Sequence, residues 1–168
     1  MPDPALEPVP LDTSHRAELE ALCMAAPGYA WTVYGRAPLP ADALEILESR
    51  PPGLDPGAKA VVGLYAGTRL AGCIEWLRGY PEADTAYIGL LLLAEDLQGR
   101  GHGRAALAWL EGEARRRGCA RLRLAVIETN ARALAFWSRE GFREVLRKTI
   151  PGVTGPAVVM ERPLADLS

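Results

Sequence analysis

The stretch that decides the fold runs from Leu97 to Leu110 and is written LQGRGHGRAALAWL. Three glycines, Gly99, Gly101 and Gly103, alternate there directly before a helical pattern. Glycine adopts backbone conformations that are closed to other residues, and it lets a ligand approach the main chain. The helix that follows directs unpaired N–H groups and the positive end of its dipole into the loop. The stretch therefore predicts an anion site that suits a pyrophosphate.

Two common nucleotide-binding loops fit this stretch poorly. A Walker loop requires GxxxxGK[ST], and no lysine follows these glycines. A dinucleotide-binding loop requires GxGxxG, whereas the third glycine here comes one residue too early. Arg100 and Arg104 would add positive charge to an anion site. The glycines alone also allow a tight strand-to-helix turn that binds nothing.

Hydrophobic patterns on either side predict the element order β-α-α-β-β-β-α-β-α-β-β within a single domain, residues 1–168. Residues 6–11 predict an edge strand, because prolines at 8 and 10 exclude a central one. Pro27-Gly28 is interpreted as the end of the first helix, residues 29–40 as a loop, and Ala41 to Ser49 as the second helix. The later strands are expected at 59–65, 70–77, 85–94, 120–127, 142–150 and 156–164, and the later helices after the glycines and at 130–141.

The β-α-β unit around the glycines should form a parallel crossover within an otherwise antiparallel sheet. The fold class is therefore mixed α/β, with a mostly antiparallel sheet. The run TAYIGLLLLA, residues 85–94, is almost continuously apolar, as expected for a central strand that is buried on both faces.

Composition narrows the classes of function. The net charge of −2 argues against nonspecific nucleic-acid binding. The three cysteines, Cys23, Cys73 and Cys119, lack metal-ligand spacing, so we expect no metal site and buried free thiols in a reducing compartment. The N-terminal segment MPDPALEPVP lacks the basic and apolar regions of a signal peptide, and no apolar run approaches the roughly 20 residues that span a bilayer. These features predict a cytoplasmic protein that is not bound to a membrane.

Two motifs point to one family. The hexamer Gln98–Gly103 matches the pattern Q/R-x-x-G-x-G/A, and NARALAFWSREGF, Asn130–Phe142, matches N-x-x-A-x-x-[LF]-Y-x-x-x-G-F. Together with the element order, they make nearly the whole chain resemble the GNAT superfamily of N-acetyltransferases. The resemblance implies the GNAT acyl-CoA N-acyltransferase fold. It also implies transfer of an acetyl group from acetyl-CoA, without a metal, to a primary amine of a small molecule or peptide by direct attack, in a monomer or homodimer.

The resemblance also assigns roles to individual residues. The strand before the glycines should splay from its neighbour and offer main-chain groups to the pantetheine arm of CoA, and the N–H of Leu91 is a candidate oxyanion donor. Asn130 and Phe136 would lie near that arm, although an N-cap role and core packing explain them equally well. The implied cofactor-binding set is Leu91, Leu92, Leu93, Gln98, Gly99, Arg100, Gly101, His102, Gly103, Arg104, Asn130, Phe136 and Trp137.

Trp137 departs from the family pattern, because it occupies the position of a tyrosine that often protonates the departing thiolate. An indole N–H donates a hydrogen bond but is far too weak an acid to deliver a proton. Water, Ser138 or Tyr87 could take that role, or the thiolate, whose ordinary pKa is about 8.5, could leave unassisted. The alternative function is a noncatalytic acyl-CoA-binding or interaction module.

The general base and the acceptor pocket are predicted from residue type and position. Glu75 lies within the apolar run GCIEWL and is the candidate base, unless it is an outward-facing edge residue. The acceptor is expected at YAWTVYGR, the helix after it and the loop IPGVTGP. In that segment Tyr29, Trp31, Tyr34 and Arg36 either line an aromatic, partly cationic pocket or pack against the core.

Overall fold

Seven strands form one mixed sheet in the computed structural model, which describes residues 3–164. Their order across the sheet is β1-β2-β3-β4-β5-β7-β6. The β4–β5 pair is parallel and every other neighbouring pair is antiparallel, which confirms the predicted sheet and its crossover. The strands are β1 Glu7–Pro10, β2 Lys59–Ala66, β3 Arg69–Arg78, β4 Thr85–Leu93, β5 Arg121–Ile127, β6 Arg143–Lys148 and β7 Ala157–Pro163.

Three helices, not two, precede β2 within the described residues. They are α1 Arg16–Met24, α2 Pro27–Tyr34 and α3 Ala41–Glu48; α4 His102–Arg116 and α5 Ala131–Arg139 follow later. The interpretation of residues 29–40 as a loop is therefore wrong for α2. Pro27 begins that helix instead of ending α1, because proline is pre-organised for the first helical position. The carboxylate of Glu95 accepts a hydrogen bond from the N–H of Gly28 at 2.8 Å and so caps α2 from outside.

The two faces of the sheet carry separate apolar clusters. On one face, Ala106, Leu107 and Leu110 of α4 pack with Trp137 of α5 against the central strands. On the other face, Leu19 and Leu22 of α1 and Ala43 of α3 pack against Cys73, Leu90 and Leu92. The central strand β4 contributes to both clusters, which confirms that it is buried on both faces.

Strand β4 contains a bulge at Gly89. Glu75 of β3 pairs with Leu90, and Trp76 pairs with Ile88, so one residue of β4 is left without an opposite partner. A bulge bends its strand and increases the local twist. The parallel pairing of β4 with β5 ends at the same place, at Ile88 and Leu124, whereas β5 stays paired with β7 as far as Ile127. The two parallel strands therefore diverge after Ile88.

The three cysteines are buried free thiols, as the sequence predicts. Burial raises the pKa of Cys23 to about 11, so its thiol stays protonated at neutral pH. Among residues 3–164, the longest apolar helical segments fall short of what is needed to cross a membrane. In that same part of the chain, no three histidine, cysteine or acidic side chains are grouped so that they could hold a metal ion.

The close contact between β3 and β4 gives a stability prediction. A Cβ added to Gly72 would lie 2.8 Å from the carbonyl oxygen of Leu92, so Gly72→Ala must push the two strands apart. We expect a loss of about 1–3 kcal/mol in the free energy of unfolding, as for other overpacked sites. The matched control is Gly57→Ala, where the nearest atom would lie at 3.6 Å. Urea unfolding of both variants checks this, and equal midpoints would contradict it.

Candidate functional site

The glycine loop, residues 98–104, ends in an open helix N-terminus. Gly99 and Gly101 have φ values of 75° and 86°, in the left-handed region that favours glycine. Gly101 is the N-cap of α4, and the helical hydrogen bonds begin with Ala105 N–H donating to the Gly101 carbonyl at 3.1 Å. The preceding N–H groups of α4 therefore face out of the helix. A Cβ on Gly101 would meet no atom within 4 Å, so the space beside this N-cap residue is open.

Gln98 fixes the loop to its surroundings. Its side-chain amide donates to the carbonyl oxygen of Leu93 at 2.9 Å, and its amide oxygen accepts from Arg132 at 3.1 Å. The side chain thus joins the end of β4 to the start of α5 and is already engaged. Its backbone N–H is engaged as well, because it donates to the Glu95 carbonyl at 3.2 Å.

Positive charge surrounds the loop. Arg104 is largely exposed, with a 3.8 Å ion pair to Glu140, and Arg132 lies beside Gly99. The sequence motifs did not indicate Arg132, although its place in the first turn after Asn130 was a usable signal. Arg100 is held at 2.9 Å by the carboxylate of Asp3.

His102 is buried at the first position of α4. Its Nε2 has no hydrogen-bond partner among the described residues and lies 3.7 Å from the Asp3 carboxylate. The imidazole is thus buried beside Asp3. As the first residue of α4, His102 also presents a backbone N–H that has no partner within the helix.

The main chain of β4 alternates between two directions where the strands diverge. Ala94 N–H donates to the Ala71 carbonyl at 2.9 Å, and the register then pairs Leu92 with Cys73 and Leu91 with Ile74. Hydrogen-bonded and non-hydrogen-bonded pairs alternate in an antiparallel ladder. The N–H and C=O groups of Leu91 and Leu93 therefore face the gap beside β5. Those of Leu92 face β3, so Leu92 is not available in the way that the resemblance implies.

Helix α5 borders the same gap. The side chain of Asn130 caps it by accepting the N–H of Ala133 at 3.2 Å, so the N-cap interpretation holds. A Cβ on Gly103 would lie 3.4 Å from the ring of Phe136, which places this ring against the first turn of α4. Trp137 is a core residue, 7% exposed, and its ring centroid lies 4.8 Å from that of Phe136 and 5.1 Å from that of Phe142. Core packing thus accounts for Trp137.

A cavity of about 280 Å³ lies on the opposite face of β4, and we call it the α3 cavity. Helices α1 to α3 and strands β3 and β4 enclose it. Tyr29 and Tyr34 line it and contact each other edge to face at 6.2 Å, as expected for an aromatic pocket. Its lining is Cys23, Ala26, Tyr29, Ala30, Tyr34, Pro38, Asp42, Glu45, Ile46, Ser49, Glu75, Gly89, Leu90 and Leu92.

The other two residues predicted for the acceptor pocket lie outside the lining. Trp31 is 57% exposed on the outer side of α2. Arg36 stacks on Tyr34 at 4.7 Å, and its guanidinium forms a two-pronged pair with Asp42 at 2.9 and 3.0 Å. The pair keeps the pKa of Asp42 below its ordinary value. The expectation of a partly cationic pocket is therefore wrong, because Asp42 neutralises the arginine and lines the cavity itself.

Glu75 faces the α3 cavity and is not an outward-facing edge residue. Its carboxylate lies over the bulge, 3.2 Å from the position that a Gly89 Cβ would take. Lys59, whose side chain is 6% exposed, donates to it at 2.8 Å. Burial raises the pKa of Glu75, and the hydrogen bond and positive charge of Lys59 counteract that rise only in part. Glu75 is thus an ionisable carboxylate at the edge of the gap, with a pKa above its ordinary value.

The two other predicted catalytic side chains lie elsewhere. Tyr87 precedes the bulge, contacts Tyr80 edge to face at 5.4 Å, and is not part of the cavity lining. Burial raises the pKa of Tyr87, which makes it a weaker acid. Ser138 is exposed on α5, on the other side of the sheet from the cavity. The structure therefore brings neither of them to Glu75.

Helix α2 closes the cavity and is anchored to both neighbouring loops. Glu95, which caps the N-terminus of α2, belongs to the segment that leads into the glycine loop. At its other end, Thr154 N–H donates to the Val33 carbonyl at 2.9 Å, and the Thr154 hydroxyl donates to the Thr32 carbonyl at 2.6 Å. The loop IPGVTGP thus contacts α2, as expected if both segments border the acceptor.

The comparisons with known proteins agree on one family. The sequence profile described as the acetyltransferase (GNAT) family matches residues 17–142. An acetyltransferase from Thermus thermophilus is 30% identical, with a TM-score of 0.81 over 98% of this chain and 100% of that chain. The ribosomal-protein-S18-alanine N-acetyltransferase of Escherichia coli is 18% identical, with a TM-score of 0.69 over 97% of this chain and 96% of that chain, and shares the fold. No protein with a curated description matches the sequence.

The open helix N-terminus gives a binding prediction with an internal control. Gly101→Glu should raise the Kd for CoA at least about tenfold, since it places a negative charge before the donors and each hydrogen bond to a charged group contributes about 1.5–3 kcal/mol. Gly118→Glu is the control. Gly118 also has a left-handed φ, 80°, and open space around it, but it follows the far end of α4. Calorimetric titration compares them, and equal affinities in the two folded variants would refute the assignment of the loop.

Proposed function

The chain belongs to the acetyltransferase (GNAT) family, and on that premise we propose that it acetylates a primary amine held in the α3 cavity by direct attack on acetyl-CoA. That it is an acetyl-CoA-dependent N-acetyltransferase follows from the family. The observation that carries the finer proposal is the bulge in β4. It sets the cavity carboxylate Glu75 beside the same gap onto which the main chain of Leu91 opens.

On the donor side, the N–H groups of the glycine loop and of the first turn of α4 receive the pyrophosphate of CoA. Arg104 and Arg132 add positive charge there, and their exposure lets them move toward the phosphates. The pantetheine arm follows the gap and pairs with the free main-chain groups of Leu91 and Leu93, as an added strand would. The Leu93 carbonyl already accepts from Gln98, so Leu91 is the principal partner.

On the acceptor side, Glu75 removes a proton from the ammonium form of the amine, directly or through one water molecule. An alkylammonium has an ordinary pKa near 10.4, and a carboxylate with a raised pKa is a better base for it than an ordinary one. The freed nitrogen lone pair bonds to the thioester carbonyl carbon, the carbon–sulfur bond breaks, and CoA leaves as the thiolate. The nitrogen, now bonded to the acetyl group, loses its second proton to solvent. The Leu91 N–H stabilises the negative charge that develops on the carbonyl oxygen.

The departing thiolate needs no acid from this chain. A thiolate of ordinary pKa, about 8.5, is a stable leaving group near neutral pH, and solvent protonates it. The buried packing of Trp137, the exposure of Ser138 on the opposite face and the position of Tyr87 before the bulge all favour unassisted departure. The reduced, buried thiols fit a reducing compartment, so we place this reaction in the cytoplasm.

Thiol release over a panel of primary amines tests the proposed function. Acetyl-CoA and the purified chain should release free thiol at a rate that depends on the amine and saturates with it. Saturable CoA binding without amine-dependent release across a broad panel would instead support the noncatalytic acyl-CoA-binding module.

The pH dependence of the rate tests the base. Glu75 acts as the carboxylate, so the rate should rise with pH through its raised pKa, above the ordinary glutamate value of 4.5. Glu75→Gln should remove this rise and lower kcat at least about 100-fold, the lower end for general-base catalysis. If its pH–rate profile overlays that of the parent, Glu75 is not the base.

A second variant separates the base from its ion-pair partner. Lys59 lowers the pKa of Glu75, so Lys59→Met should raise that pKa and move the rise in rate to higher pH. The maximal rate, on the plateau at high pH, should be unchanged, because Glu75 is still a carboxylate there. If the pH–rate profile of Lys59→Met does not shift, the rise in rate reflects the titration of a group other than Glu75.

A further inference from the structure

We infer that the acceptor is a small diamine, one amine of which is acetylated beside Glu75 while the second, as an ammonium, is held by Glu45 in the α3 cavity. This inference rests on the proposed function and deepens it by naming the class of substrate. It is carried by the charge balance of the cavity, by the apolar residues in its lining and by the size of the space.

The cavity lining contains three carboxylates and no basic side chain among the described residues: Asp42, Glu45 and Glu75. Asp42 is neutralised by Arg36, and Glu75 has Lys59 as its partner. The carboxylate of Glu45 has no hydrogen bond or ion pair with any residue between 3 and 164. One negative charge of the cavity therefore has no partner in the protein, and a ligand cation would neutralise it.

The two carboxylates differ in position and surroundings. Glu75 lies on β3 over the bulge, next to the gap, whereas Glu45 lies on α3 toward the more exposed side. The surface of the lining that includes Ile46, Leu90 and Leu92 is apolar. Such a surface suits a chain of methylene groups, because burial of CH₂ groups away from water is favourable.

The volume suits a short acceptor. The cavity measures about 280 Å³, below the common range of ligand pockets, which begins near roughly 300 Å³. A short diamine meets this limit and also places a cation at each end.

The same lining disfavours acceptors that carry an anionic group. A carboxylate or phosphate on the acceptor would find no basic side chain in the described lining, and it would share the cavity with the carboxylate of Glu45. A buried charge without a partner is costly. The cavity therefore favours an acceptor whose far end is positively charged over one whose far end is negatively charged.

Three probes of similar length test the inference: 1,4-diaminobutane, n-pentylamine and 4-aminobutanoate. They share the reacting amine and differ at the far end, which is an ammonium, a methyl group or a carboxylate. We expect kcat/KM for acetyl-CoA-dependent thiol release to be highest for 1,4-diaminobutane, intermediate for n-pentylamine and lowest for 4-aminobutanoate. The preference for the diamine should decrease as salt rises, since screening weakens an ion pair at a partly exposed carboxylate.

The variant Glu45→Gln should lower the ratio of kcat/KM for 1,4-diaminobutane over n-pentylamine about fivefold, which corresponds to an exposed ion pair of about 1 kcal/mol. Glu48→Gln is the matched control. Glu48 is an exposed glutamate three residues further along α3 and is not part of the lining, so this ratio should not change.

The outcomes separate this inference from the function on which it rests. Three results would overturn the diamine acceptor and leave the acetyltransferase intact. They are equal thiol release with the diamine and n-pentylamine, the fastest release with 4-aminobutanoate, or a ratio of kcat/KM for 1,4-diaminobutane over n-pentylamine that Glu45→Gln does not change. An absence of amine-dependent release with every amine overturns both.

Discussion

The divergence of β4 from β5 is the constraint on which the rest of the structure depends. Two parallel strands that stayed paired would satisfy each other's main-chain groups and leave no gap. The extra residue at Gly89 bends β4 where the pairing with β5 ends, and it also reverses which face each following leucine occupies. One bulge thus frees the N–H of Leu91 and places Glu75 over Gly89 at the cavity.

Side-chain contacts connect the glycine loop with the α3 cavity, the two regions that this divergence separates. Glu95 caps α2, which closes the α3 cavity, and stands three residues before Gln98, which ties the glycine loop to Leu93 and Arg132. Between them, Asp96 forms a two-pronged pair with Arg69 at 2.8 Å, which anchors the same segment to β3. A short stretch of chain therefore positions both the glycine loop and helix α2 relative to β4.

Local sequence predicted the features that depend on backbone chemistry. It did not predict the features that depend on contacts between residues far apart in the chain. The glycine loop, the apolar run of β4 and the N-cap Asn130 were predictable because spacing and residue type determine them. The start of α2 was not predictable, because Pro27 both follows one helix and begins the next. In addition, the residue that caps α2, Glu95, lies 67 residues along the chain from Gly28. Arg36 suggested a cationic pocket, but its charge is cancelled by Asp42, and no periodicity reveals that pairing.

Amide hydrogen exchange in β4 tests the central claim most directly, because neighbouring leucines serve as internal controls. Leu90 and Leu92 bond to β3, so their amides should exchange slowly with or without ligand. The amide of Leu91 faces the gap and should exchange quickly in the free protein, then slow at least about tenfold when acetyl-CoA saturates it, since about 1.4 kcal/mol of protection corresponds to tenfold. A Leu91 amide that is already as protected as its neighbours, or that does not respond to saturating acetyl-CoA, would contradict the account.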